Sequence, residues 1–187
     1  GPADAQRTIL IVPPLFDEMN RTRRMLVETM RALADKHVQS LMPDLLGCNE
    51  SLADLAAQSL STWRQAVADC AARHKATHIA SLRGGSLIDD MTGLPSWRLA
   101  SVKGSSLLKA MLRTRIAADK EAGVSTTTEQ LLAAAQTASL ELSGNLLGLE
   151  MLDGLDAAEP VAEEGICEVA LADIGGTPLW LRAEPGD

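Results

Sequence analysis

The stretch Thr77-His78-Ile79-Ala80-Ser81-Leu82-Arg83-Gly84-Gly85-Ser86-Leu87-Ile88-Asp89-Asp90 restricts the folds open to this chain more than any other. A short apolar run ends in two glycines and passes at once into Leu87 and Ile88, the pattern of a buried strand, a sharp turn and a helix. A second run, Thr8-Ile9-Leu10-Ile11-Val12, is stopped by Pro13-Pro14 and predicts a strand covered on both faces, as in a parallel sheet. In doubly wound α/β proteins the turns that follow such strands lie at the carboxyl edge of the sheet, where ligands bind.

Between and beyond these runs, strand and helix patterns alternate. Asn20 can cap a helix whose stripe Leu26, Met30, Leu33 and Ala34 carries it to about Lys36. Val38 to Met42 predicts a shorter strand closed by Pro43, followed by the loop Asp44 to Ser51. Ser51 with Asp54 suits a helix start, and Ala56, Leu60, Trp63, Val67 and Cys70 repeat at helical spacing. The helix after Gly84-Gly85 is expected to be short, because Gly93 and Pro95 interrupt it. Leu99 to Val102 predicts a fourth strand, and Leu107, Leu108, Met111, Leu112 and Ile116 a helix ending near Gly123. Thr126 and Glu129 form a capping-box pattern before a helix over 127–138. Leu140 and Leu142 alternate as in a strand, 146–155 reads as a helix broken at Gly148 and Gly154, and Gly165 to Leu171 and Pro178 to Leu181 read as two more strands. The sum is a three-layer αβα domain with a mostly parallel sheet, spanning 1–187, in which 124–160 is expected to form a lid or interface insertion.

Charge and composition narrow the function classes. A formal charge of −8 and aromatics at 2% leave neither the basic face nor the stacking platforms of a nucleic-acid binder. Three widely spaced cysteines, Cys48, Cys70 and Cys167, show neither a disulfide framework nor a C-x-x-C pair, which fits a reducing cytoplasm. No apolar run reaches the length of a membrane span. The spacing of His, Asp and Glu suggests no metal, and no Gly-rich phosphate loop is present, so no cofactor is expected.

Set against the nucleophile-elbow pattern G-x-S-x-G, the segment Ser81-Leu82-Arg83-Gly84-Gly85 keeps the last glycine and places Arg83 where the nucleophilic serine would stand. Three segments resemble the exosortase A system-associated hydrolase 2 family of the α/β-hydrolases: Pro13 to Met25, Pro43-Asp44-Leu45-Leu46-Gly47-Cys48-Asn49-Glu50-Ser51, and Leu82-Arg83-Gly84-Gly85. The resemblance covers about the first 120 residues in order and implies an α/β-hydrolase core. It also implies a setting beside exopolysaccharide and protein-sorting genes in Gram-negative bacteria, with no settled substrate. The hydrolase order nucleophile, acid, histidine calls for a histidine beyond the elbow, and none follows His78 here.

The candidate ligand-binding residues are those brought to the carboxyl edge by this arrangement: Arg83 and Gly84 at the elbow, Phe16, Glu18, Asn20 and Arg24 after the first strand, and Asp44 after the second. A guanidinium at Arg83 suits a carboxylate or phosphate; equally, it suits an internal pair with Asp17 or Glu18. Arg21, Arg23 and Arg24 likewise call for negative charge nearby, from a bound anion or from Asp17, Glu18, Asp44 and Glu50. Cys48 is the one thiol in a loop at that edge and the candidate nucleophile, although His37, His74 and His78 all read as element-terminal imidazoles away from it. Ser86 reads as a cap or helix-surface residue, and Asp89-Asp90 as a pair pointing to different sides of a helix. Three functions are compatible with this pattern. They are a degenerate hydrolase serving as a binding or assembly protein, an active esterase, thioesterase or acyltransferase on a small anionic substrate, and a structural, dimeric partner protein.

Overall fold

A computed structural model describes residues 6–181. In chain order the elements are β1 (Thr8–Val12), α1 (Asp17–Ala34), β2 (Gln39–Leu41), α2 (Leu60–Arg73), β3 (His78–Leu82), β4 (Ser96–Leu99), α3 (Gly104–Glu121), α4 (Thr128–Ala134), β5 (Leu140–Leu142), β6 (Asn145–Leu147), α5 (Leu149–Ala157), β7 (Ile166–Val169) and α6 (Leu171–Ile174). The chain divides into two compact units. The first comprises 1–43, 64–102 and 160–187, and the second 44–63 and 103–159. The segment 124–160 thus belongs almost wholly to a unit that begins earlier, at Lys103, and also takes in the loop after β2.

The first unit holds a five-stranded, wholly parallel sheet in the order β2-β1-β3-β4-β7. Its two faces are both dry. Ile11 and Leu82 pack with Leu26 of α1, joined by Met25, Met30 and Leu33, while Leu10, Val12 and Ile79, which alternate to the other face, are fully buried. A sheet covered on both sides is the middle layer of a three-layer α/β fold. Because β1 lies between β2 and β3, the chain leaves it in one direction and returns on the other side. The carboxyl ends of β1 and β3 therefore flank the switch point at which this architecture opens a crevice.

The second unit packs α3 against α5 and carries the β5–β6 hairpin. Two glycines permit its closest backbone approaches: a Cβ on Gly104 would stand 2.2 Å from the Leu155 carbonyl oxygen, and one on Gly148 2.2 Å from that of Ala56. Gly148 is the N-cap of α5, and that helix runs through Gly154 without a break.

Several boundaries differ from the sequence expectation, each for an identifiable reason. Helix α1 begins at Asp17, so Asn20 lies exposed inside it and caps nothing. The fourth strand is Ser96–Leu99 and not Leu99 to Val102: Ala100 turns out at φ 52°, and Arg98 belongs inside because a buried carboxylate meets it. The α4 cap is Thr127 with Gln130, since the Thr126 hydroxyl is already committed to Asp119 Oδ2 at 2.7 Å. Downstream of the elbow stand two 3-10 turns, Arg83–Leu87 and Asp90–Thr92, in place of a short α-helix. Pro178 to Leu181 is not a strand: Gly175 and Gly176, at φ 71° and 102°, lead into a 3-10 turn, Leu179–Leu181, against α1. Among the described residues no helix is long and apolar enough to cross a membrane.

Candidate functional site

Strand β3 ends at Leu82, and Arg83 follows in the left-handed region at φ 50°. A non-glycine residue held there costs about 1–3 kcal/mol and persists only where its surroundings enforce it. Gly85 supplies part of that enforcement by letting the turn approach the end of β1, for a Cβ on it would stand 2.6 Å from the Pro13 carbonyl oxygen and 2.7 Å from that of Val12. Ser86 is buried and donates its hydroxyl to the Arg83 carbonyl at 2.7 Å, which fastens the turn; it is not a surface residue. The facing loop from β1 is also strained, with the buried Phe16 at φ 57° just ahead of α1.

The Arg83 side chain is held within the first unit by three hydrogen bonds. Its Nη2 and Nε donate to Glu18 Oε1 and Oε2 at 3.0 and 3.2 Å, a fork-to-fork pair, and Nη1 donates to the Ala100 carbonyl at 3.4 Å. The flat face of the guanidinium lies 4.8 Å from the centre of the Trp180 indole ring. Burial raises the Glu18 carboxyl above its ordinary value, with the hydrogen bond and charge of Arg83 pulling the other way. Of the two internal partners considered for Arg83, Glu18 is the one it has. Asp17 instead pairs with Arg21 at 2.8 Å, and a second Arg21 nitrogen donates to the Trp180 carbonyl at 2.8 Å.

Behind the elbow lies a buried polar cluster that the sequence reading missed. Asp89 accepts from both Arg98 Nη2, at 2.5 Å, and Arg98 Nε, at 2.9 Å. It also accepts from the Ser81 hydroxyl at 2.7 Å and the Ser96 hydroxyl at 3.3 Å. Both charged side chains are 1% exposed. Burial alone would lower the Arg98 pKa, but the hydrogen bonds and charge of Asp89, helped by Glu168, outweigh it and raise it. Asp89 is therefore no helix-surface acid; it sits at the junction of the two 3-10 turns and ties β3 to β4. The neighbouring Asp90 has its Oδ1 3.2 Å from Arg64 Nε, whose N–H is aimed at the Leu87 carbonyl.

No protein-family model matches the chain, and a search among curated proteins found no match. Among solved structures the chain is similar to one from Agrobacterium vitis S4 described as a "putative hydrolase", at 16% identity and a TM-score of 0.47. The alignment covers 64% of this chain and 52% of the other, so the chain spans about half the length of that protein.

The remaining sequence candidates divide. Arg83, Gly84, Phe16 and Glu18 all belong to the first unit, at or beside the ends of β1 and β3. Asn20 and Arg24 are exposed on α1, and Arg23 is as well. These arginines follow the acidic first turn of α1 and do not themselves form it, which removes the conflict with the helix dipole. Asp44 and Cys48 belong to the second unit, where exposed Asp44 accepts from the Asn49 amide at 3.2 Å. Burial, and then the charge of Asp44, push the Cys48 thiol up to about 11, leaving almost no thiolate near neutral pH. His78 opens β3 and stacks on Trp97 at 5.2 Å. Among the described residues no group of three or more His, Cys, Asp or Glu side chains is placed to hold a metal ion.

Trp180 and the Asp89–Arg98 pair are the functional-region residues that spacing did not reveal. Arg98 alone in an otherwise strand-like Ser96-Trp97-Arg98-Leu99 was the available signal, since a charge in a doubly covered sheet requires a buried counter-charge.

Proposed function

We propose that this protein is an α/β-hydrolase-like scaffold without hydrolase chemistry, whose elbow serves as an arginine-anchored binding or assembly site. The observation that supports it is Arg83 at φ 50°, with its guanidinium forked onto Glu18. A nucleophile at an elbow has to be free to leave its resting contacts and attack; a guanidinium carries no lone pair for attack and here also clamps the β1 loop to the β3 turn. Glu18 occupies the role an anionic ligand would take, so a carboxylate or phosphate that binds Arg83 has to exchange with it. The exopolysaccharide and exosortase setting rests on the resemblance of the three segments around Pro13, Pro43 and Arg83, and we propose it on that ground.

The test is turnover of short-chain p-nitrophenyl esters and acyl thioesters by the purified protein. The expected rate is that of the buffer alone, and it stays there in Cys48→Ala and Ser86→Ala. Turnover that either substitution abolishes would overturn the reading.

A further inference from the structure

We propose that residues 177–181 form a latch over the elbow arginine, and that its release admits a small carboxylate or phosphate to Arg83 and Arg21. The second half of this statement rests on the elbow reading above; the first half stands on its own geometry.

Trp180 fastens the segment to the elbow arginine. Its ring covers the face of Arg83 at 4.8 Å, and its carbonyl oxygen accepts from Arg21 Nη1 at 2.8 Å. The residue is 8% exposed, whereas Ile174 before it and Leu181 after it are 60% and 70% exposed. The 3-10 turn that carries Trp180 rests on α1, and a short segment of this kind opens as a small local unit at far less cost than the sheet. The hinge lies just upstream. Gly175 and Gly176 adopt positive φ, and a Cβ on either would meet nothing within 4 Å, so these glycines serve backbone freedom and not close packing.

Two guanidiniums converge on the same latch residue, one on its ring and one on its carbonyl. When Trp180 leaves, Arg83 loses the cover on its face and Arg21 loses an acceptor, while each keeps a single carboxylate partner, Glu18 and Asp17 respectively. The opened space then offers the Arg21 N–H that Trp180 had accepted, beside the uncovered face of a second cation, an arrangement that favours a carboxylate or phosphate over a neutral ligand. Closed, the same residues satisfy one another and shed the ligand.

Phenylglyoxal modification of Arg83, mapped by peptide mass spectrometry, reads the latch directly. In the intact protein Arg83 reacts slowly beside exposed Arg23; Trp180→Ala speeds the Arg83 reaction at least about tenfold, and Trp180→Phe returns it to near the wild-type rate. Hydrogen exchange on the unsubstituted protein provides a second measure: the amides of Thr177, Leu179, Trp180 and Leu181 exchange well before those of β3. An Arg83 rate that Trp180→Ala leaves unchanged, or these four amides as protected as β3, overturns the latch. In the Trp180→Ala protein, succinate or inorganic phosphate is expected to slow Arg83 modification. Fast modification that neither anion slows overturns the anion site, and with it the elbow reading, while the latch itself stands.

Discussion

Replacing Arg98 by methionine lowers the stability of the first unit by about 3–5 kcal/mol, the cost of stranding one partner of a buried ion pair. Asp89 is then left without its cationic partner in a site where its side chain is 1% exposed, with the Ser81 and Ser96 hydroxyls as its remaining side-chain donors among the described residues. The loss is a large share of the 5–15 kcal/mol that holds a typical domain together. Asp89→Leu combined with Arg98→Met costs less than the two single changes added, because the stranded charge disappears along with its partner. Urea unfolding followed by circular dichroism measures both effects. A loss below about 1 kcal/mol for Arg98→Met would mean that the pair contributes nothing beyond its volume.

Gly85→Ala is expected to cost about 2–3 kcal/mol, since an added methyl group has to displace backbone and cannot simply move a flexible side chain. The obstructing atoms are the Pro13 and Val12 carbonyl oxygens, 2.6 and 2.7 Å from the new Cβ, and they belong to the strand end that faces the elbow. Gly93→Ala is the matched control. It stands at φ 62° with open space around its Cβ position, so only the backbone penalty of about 1 kcal/mol applies. Equal losses for the two, measured by the same unfolding curves, would show that the elbow does not press on β1.

These two sites also show what the sequence made legible. Thr8 to Val12 before two prolines, and Ile79 to Leu82 before two glycines, announced buried parallel strands and the turn between sheet and crevice, because continuous apolar runs have no other economical place to go. Glu18 was one of two named partners for Arg83, since it follows β1 and Arg83 follows β3, and neighbouring parallel strands bring the loops at their carboxyl ends together across 65 positions. Other pairings stayed hidden. Arg98 and Asp89 are nine residues apart in the chain, yet their pairing depends on β4 lying beside β3, and that neighbour relation is a property of the sheet order. Trp180 is still more remote, reaching Arg21 across 159 positions by way of a glycine hinge whose direction the sequence does not encode locally. The capping threonine moved by one residue for the same kind of reason: three threonines in a row are alike locally, and Asp119 decided which hydroxyl was free.

The central proposal is that an ion-paired arginine stands where a hydrolase elbow would carry its nucleophile. Intact-mass spectrometry after prolonged incubation with a fluorophosphonate serine-hydrolase probe tests it most directly. The expected spectrum contains unmodified protein alone, before and after the Glu18→Gln substitution that frees Arg83 from its carboxylate. A stoichiometric phosphonyl adduct on Ser86, or on Cys48, would establish an activated nucleophile and contradict the account.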